Sequence, residues 1–269
     1  MGCELREGKQ HCQKEFIHAL ERIVPRARKL TDKPLLMRLD SGHDARENRF
    51  WLAEQDVGFL IKWNPRAQDM TIWMRVGDDL GTWEQVRDGK RICIFDEQVS
   101  EEYCGQTRTF RKVTRLTERT IDKHGQRLLI PHITLEGWWT TLDGETADNA
   151  AVISLYKDHA TSEQFHSEFK TDLDIERLPS GKFDTNDLVM AQAVIAYNIL
   201  RWIGLIGLLG DVSPVRHPAK RRRLKTVMQE LMYLSARMVE TGRTLKLKFS
   251  KHCPGFQSFE KVYSKLAAG

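Results

Sequence analysis

"PLLMRLDSG" at residues 34–42 and "GFLIKWNP" at residues 58–65 decide the fold. The first reads as a buried strand that ends on an acid, Asp40, with Ser41-Gly42 as the turn after it. The second reads as another strand, closed by Pro65, because the residue before a proline is pushed towards extended backbone. A short helix over roughly 44–55 separates them. Strand, crossover helix, strand is a parallel βαβ unit, so the chain is an α/β protein. Upstream, residues 11–29 carry Phe16, Leu20, Ile23 and Val24 on one helical stripe, and "TDKP" at 31–34 stops that helix.

Working downstream, the composition changes between about 67 and 145. Thr, Val, Ile, Arg and Trp dominate, and "GDDLG", "RDGK", "DKHG" and "LDGE" punctuate them. This pattern predicts short antiparallel strands forming a β module inserted into the α/β core. Helices resume near Asp148, and Thr161-Ser162 offer caps for a fresh helix. An apolar helix follows over 188–207, then another over roughly 221–240 with Leu224, Val227, Met228 and Leu231 at core spacing. In "RTLKLKFSK" (243–251) the alternation is of period two, with Lys246 and Lys248 on one face and Leu245, Leu247 and Phe249 on the other. The two lysines are candidate DNA-phosphate contacts, the plainer reading being a solvated face. The expected division is 1–66, part of the α/β core; 67–147, the β module; 148–210, the rest of the core; and 211–269, a basic helical and strand region.

Lys and Arg number 42 against 37 Asp and Glu, a net charge of +5 that admits a polyanionic partner without requiring one. Five scattered cysteines with no CxxC pair read as reduced thiols of a cytosolic protein, neither a disulfide framework nor a zinc ribbon. Residues 1–15 are too polar for a signal peptide. "LVMAQAVIAYNILRWIGLIGLLG" (188–210) is long enough to span a bilayer, but Gln192, Asn198 and Arg201 fall inside it, so a helix against a protein core is expected and no membrane partner.

Chemistry concentrates in "YKDHATSEQFHSEFK" (156–170). Glu163, His166 and Lys170 step by three and four residues and share one helical face, while Phe165 and Phe169 lie on the far side. Glu163-x-x-His166, with Glu15-x-x-His18, matches a di-iron ligand pattern, but that arrangement needs four long helices and the strand content argues against it. "LPSGKF" (178–183) departs from a phosphate-binding loop at Glu176 and Phe183 and reads as an ordinary loop. Asp40 stands where an α/β sheet opens its crevice; the plainer reading is a turn aspartate. Together with Glu163 it would make half of a site for hard divalent cations such as Mg2+ or Mn2+. "HPAKRRRLK" (217–225), containing Lys220, Arg221, Arg222 and Arg223, is the densest basic run and a candidate polyanion contact. Trp138 and Trp139 either stack on bases or pack the module, with packing the default.

These residues resemble the DDE transposases of bacterial insertion sequences, in the group with a Tyr, Arg, Glu, Lys signature. Tyr156, His159, Glu163 and Lys170 stand at that group's spacing, with histidine in place of arginine. "TTL" (140–142), "RLPSGKF" with Asn186, and "AYNILR" (196–201) are similar to the flanks, and "LMRLDSGHD" (36–44) to the strand bearing the second acid. The resemblance implies an RNase H-like core and two-metal phosphoryl transfer on transposon-end DNA, in a bacterial cytoplasm. It implies Asp40 and Glu163 as second and third acids, and phosphate contacts from Tyr156, His159 and Lys170. The first acid belongs on a three-strand meander ahead of the helix before Asp40. About ten residues precede that helix here, too few for three strands, and Asp32 sits in a turn. The expectation is a C-terminal part of a transposase, impaired alone, that acts as a homodimer or pairs with an N-terminal part. Its core would keep a two-strand remnant with an unpaired apolar edge. The alternative is a non-catalytic DNA-binding or regulatory fragment.

Overall fold

The computed structural model describes residues 3–158 and 160–268. It contains two compact units, Gly8–Ala160 and Thr161–Gly269 with the first residues through Glu7.

The first unit is a six-stranded mixed sheet with helices on both faces. Helix α1 (Phe16–Arg28) leads into β1 (Leu36–Leu39), α2 (Arg46–Glu54) and β2 (Gly58–Trp63). β1 and β2 pair in parallel, Leu36 opposite Gly58 through Leu39 opposite Ile61, which is the expected βαβ unit. There follow α3 (Met70–Leu80), β3 (Thr82–Arg87), β4 (Lys90–Tyr103), β5 (Gln106–Ile121), β6 (Arg127–Thr140) and α4 (Asn149–Lys157). The strand order is β1-β2-β6-β5-β4-β3.

Three features of this unit differ from the sequence reading. Residues 70–80 form a helix, although their Thr, Ile, Trp, Arg and Val content suggested strand. Asp69 caps it by accepting the Thr71 N–H at 2.8 Å, and Met70, Trp73 and Val76 pack on Cys93, Phe95, Leu116 and Leu135. The strands that follow are long, β4 to β6 spanning 14, 16 and 14 residues. Finally, 58–63 is no edge of a two-strand remnant, because β6 pairs with it antiparallel, Leu60 opposite Thr140 through Trp63 opposite Gly137. The sheet runs on without a break from the parallel pair into the long strands. Its outer strand on the parallel side is β1, which has no second strand partner among the described residues.

Alternation along these strands builds two further cores beside the one under α3. Phe59, Ile61, Phe110 and Trp139 face Leu20 and Val24 of α1 and Phe50 and Leu52 of α2. Leu60, Val113 and Trp138 face the other way, onto Val152 and Ile153 of α4. Each fully buried side chain of this size contributes roughly 1.5–3 kcal/mol. Arg111 fastens the loop that leads into α4. Its buried guanidinium donates to Asp96 (2.9 Å), to the carbonyls of Leu142 (3.1 Å) and Ala147 (2.7 Å), and to Asn149 (2.6 Å).

In the second unit, α5 (Ala160–Ser167) runs into a wide π turn over Glu168–Asp172, and α6 (Phe183–Gly207) is the long apolar helix. By length and composition α6 is able to cross a membrane; a third of its most apolar stretch is buried. Tyr197, Leu200, Ile203 and Ile206 join the core with Phe169, Leu224, Val227 and Leu231. The opposite face, with Leu188, Ile195, Ile199 and Trp202, is exposed, so the expected core packing covers one side of the helix. The helix expected over 221–240 is short: α7 (Leu224–Val227) and a π turn over Met228–Met232 end it. A hairpin of β7 (Ala236–Thr241) and β8 (Thr244–Phe249) follows, then α8 (Phe256–Ala267).

Replacing Arg111 by Met removes its bonds to the buried Ala147 carbonyl, the partly buried Leu142 carbonyl and Asp96, and should destabilise the first unit by about 3 kcal/mol. Urea unfolding read by tryptophan fluorescence reports this unit, since every tryptophan except Trp202 lies in it. Leu129→Ser, at a fully exposed position, should stay within about 0.5 kcal/mol in the same assay.

Candidate functional site

β1 ends at Asp40, whose extended backbone and side chain cap a single 3-10 turn over Ser41–His43. One carboxylate oxygen, Oδ1, accepts the Gly42 N–H at 2.9 Å. The turn is tight: a Cβ on Gly42 would lie 2.6 Å from the Cys12 sulfur, so a larger residue there would have to displace that side chain. Asp40 is exposed, and its Oδ2 has no hydrogen bond or ion pair among the described residues. The next acid in the loop has the opposite character. Asp44 accepts from the buried Arg49 at 2.5 Å and from the Asn64 N–H at 2.8 Å, and Arg49 also binds both oxygens of Glu101 at 2.8 Å. Asp44 and Glu101 are therefore structural, and Asp40 is the acid this loop leaves open at the carboxyl end of a parallel strand, where ligands of α/β sheets bind.

Tyr156, on α4, stands over the sheet face that carries Trp138, with ring centroids 6.2 Å apart. Lys62 Nζ lies 4.0 Å from the centre of the Trp138 ring and donates to Glu136 at 2.7 Å. Arg115 also donates to Glu136, at 3.0 Å through Nε. Burial lowers the Lys62 pKa despite this partner. Burial pushes the Glu136 carboxyl up, but the hydrogen bonds and charges of Lys62 and Arg115 outweigh it and hold the group below its usual value of 4.5. Trp138 and Trp139 are 1 % and 5 % exposed. Their rings are core, with Arg49 4.4 Å from the centre of Trp139, and neither offers a face for base stacking.

In the second unit, α5 and its π turn carry the two-faced segment. Phe169 is buried and tilts against Tyr197 at 6.1 Å. Phe165 is half-buried, with the Arg221 guanidinium 4.5 Å from its ring centre. Glu163, His166 and Lys170 are all exposed, and their side chains have no hydrogen bond or ion pair among the described residues. The aromatic face is thus the anchor and the ionisable face is presented outward. Glu163 and His166 lie on α5, and Lys170 lies in the π turn that continues it. His159 lies outside the described residues.

The arginines of "HPAKRRRLK" are internal struts. Arg221 donates to Gln164 at 2.9 Å and pairs with the buried Glu168. Arg222 donates to the carbonyls of Leu208, Val215 and His217. Arg223 grips Asp172 with two nitrogens, each at 2.9 Å from a carboxylate oxygen. Arg221 and Arg223 tie the loop before α7 to α5 and its π turn, and Arg222 ties it to main-chain carbonyls. These guanidiniums are therefore engaged within the unit and do not form the open polyanion face expected of them; Lys220 is exposed. Lys246 and Lys248 do lie on an open strand face. Opposite them the structure adds Arg237, hidden from the sequence reading by the expected helix over 221–240. "VETGRTLKL" around Gly242 held the signal, a glycine turn between two alternating runs.

Among the described residues, no group of three or more His, Cys, Asp and Glu side chains is placed to hold a metal ion, around either Glu-x-x-His pair or elsewhere.

A mixed α/β sheet of this order, with an acid at the end of its parallel pair and a glutamate on a following helix, has the architecture of an RNase H-like transposase fold. The chain matches the family model described as transposase DDE domain, group 1, over residues 1–268, and it belongs to that family. Among curated proteins none matches.

The Glu136 ion pair yields a pH dependence. Its folded pKa lies below the unfolded one, so its stabilisation is present above about 4.5 and is lost as pH falls through the lowered value. Glu136→Gln should cost about 2 kcal/mol at pH 7, and in urea titrations the gap to wild type should stay constant above about pH 4.5 and narrow as pH falls below it.

Proposed function

We propose that this transposase-family chain supplies the second and third acids, Asp40 and Glu163, of a centre that cuts and joins transposon-end DNA. The observation that carries this reading is the contrast between these carboxylates and their neighbours. Asp44, Glu101, Glu136, Glu168 and Asp172 are all bound by arginine or lysine. Asp40 and Glu163 are not, at the two positions that the transposase resemblance assigns to chemistry. Their hard oxygens suit Mg2+ or Mn2+, which this family normally uses. Bound there, such ions would polarise the phosphate and activate a water or 3′-hydroxyl. Exposed Lys170 and His166, with Tyr156 and His159, would then bind phosphates and orient the DNA end.

No strand lies in residues 3–15, and Asp32 sits in a bend before β1. On this reading the first acid comes from polypeptide other than these residues, either joined to them or held in a partner, and residues 1–269 alone cleave poorly. The same observation favours a second reading, a non-catalytic fragment that occupies DNA ends.

The test is nicking of an end-labelled duplex, taken from the flank of the coding region, in Mg2+. The chain joined to an upstream segment that supplies an aspartate strand should nick it, and Glu163→Gln or Asp40→Asn should each lower the rate by roughly 100-fold or more. Binding by the joined protein without any nicking favours the second reading. Nicking that survives both substitutions contradicts the assignment of the acids.

A further inference from the structure

The β7–β8 hairpin has two chemically distinct faces. Residues directly opposite in an antiparallel pair share a face. Arg237 stands opposite Lys248, Val239 opposite Lys246, and Thr241 opposite Thr244. The other face carries Met238 opposite Leu247 and Glu240 opposite Leu245, and ends on Phe249. Phe249 packs on Phe256 and Phe259 at 5.4 and 4.9 Å, which fixes the base of the hairpin to α8. Gly242 turns the chain at φ 62°, beside Arg243 at the tip.

The charges here are concentrated and unneutralised. Residues 236–249 hold four cations against one acid, a local excess of three out of the chain's +5. The acid, Glu240, is on the apolar face. Arg237, Arg243, Lys246 and Lys248 are exposed and have no ion-pair or hydrogen-bond partner for their side chains among the described residues. This is the reverse of Arg221, Arg222 and Arg223, each of which donates to a carboxylate or to main-chain carbonyls within the unit.

We propose that the hairpin is a DNA-docking ribbon that lays its Arg237, Lys246 and Lys248 face, with Arg243 at the tip, against the phosphates of a duplex. The proposal rests on the reading of the chain as a protein that acts on DNA ends. Its dimensions suit that partner. Two strands about 4.8 Å apart and six residues long make a ribbon about 20 Å long, and a major groove about 12 Å wide admits such a two-stranded element. Lys246 and Lys248 repeat at about 7 Å along one strand, so successive cations meet successive stretches of backbone. The threonines and Val239 between them add no opposing charge.

The experiment compares the full chain with Arg237→Gln/Arg243→Gln/Lys246→Gln/Lys248→Gln, using a fluorescein-labelled 30-base-pair duplex of random sequence between 50 and 300 mM KCl. Four released counterions predict that the slope of log K against log salt falls by about three to four. Lys261→Gln/Lys265→Gln on α8 should leave the slope unchanged. An unaltered urea midpoint confirms that the hairpin variant is folded. A wild type that binds, with the same slope in the hairpin variant, overturns the ribbon and leaves the transposase reading standing. A wild type with no affinity for the duplex at 50 mM KCl overturns both. Because one face is apolar and the other basic, vesicles of phosphatidylserine and phosphatidylcholine are tested alongside. Loss of vesicle binding in the variant, with DNA binding intact, overturns the proposal in favour of a membrane surface.

Discussion

Four residue pairs between β2 and β6 join the parallel βαβ unit to the long antiparallel strands. Everything else in the first unit depends on that register. It sets Trp138 and Trp139 on opposite faces of one strand, one beneath α4 and the other beneath α1 and α2. Gly137 is required at the crossing, because a Cβ there would meet the Trp63 ring at 2.6 Å. Side chains alternate with period two, so a slip of one residue would send both tryptophans to the wrong core. The register also carries Lys62 to Glu136 and Trp138, the group on which Tyr156 rests.

Charge in this protein falls into two classes that composition does not separate. Arg49, Arg111, Arg221, Arg222 and Arg223 are fixed by carboxylates or main-chain carbonyls, and their removal should be felt in stability. Arg237, Arg243, Lys246 and Lys248 are open, as are the acids Asp40 and Glu163. Groups of the first kind build the scaffold. Those of the second kind are left in solvent by a fold that pairs many of their neighbours, and on the proposed reading they are the groups open to a charged polymer or a cation. The densest basic run in the sequence therefore belongs to the scaffold, and a sparser alternating stretch presents the accessible face.

The parallel pair was legible because its signals are local: apolar runs of strand length, a glycine turn and a proline stop. Asp40 was placed by the same signals. Helix α3 was not, since its Thr, Ile, Trp and Val favour strands in isolation. Tertiary contact decided it: Trp73 packs near Trp63 at 5.3 Å, and Gly77 lets Leu116 approach to where a Cβ would be 2.6 Å away. The strand lengths were missed because β4 and β5 turn at Cys104-Gly105, both at positive φ (50° and 75°), where cysteine gives no ordinary turn signal. "GDDLG" meanwhile ends a helix. At the C-terminal end, Leu224, Val227, Met228 and Leu231 do carry helical spacing, but the π turn over 228–232 ends the run and the alternation of 236–241 takes over. Ion-pair engagement was beyond reach of the sequence, since Arg221 and its partner Glu168 are 53 residues apart.

The most direct measurement replaces Mg2+ by Fe2+ in the DNA-bound joined protein and maps oxidative backbone cleavage by mass spectrometry. Radicals formed at the ion cut the chain beside its ligands. Cuts clustered at residues 38–42 and 161–165, competed by Mg2+ and lost in Asp40→Asn and Glu163→Gln, are the predicted result. Cleavage that avoids both segments, or that persists in both variants, would contradict the assignment of these acids to one metal centre.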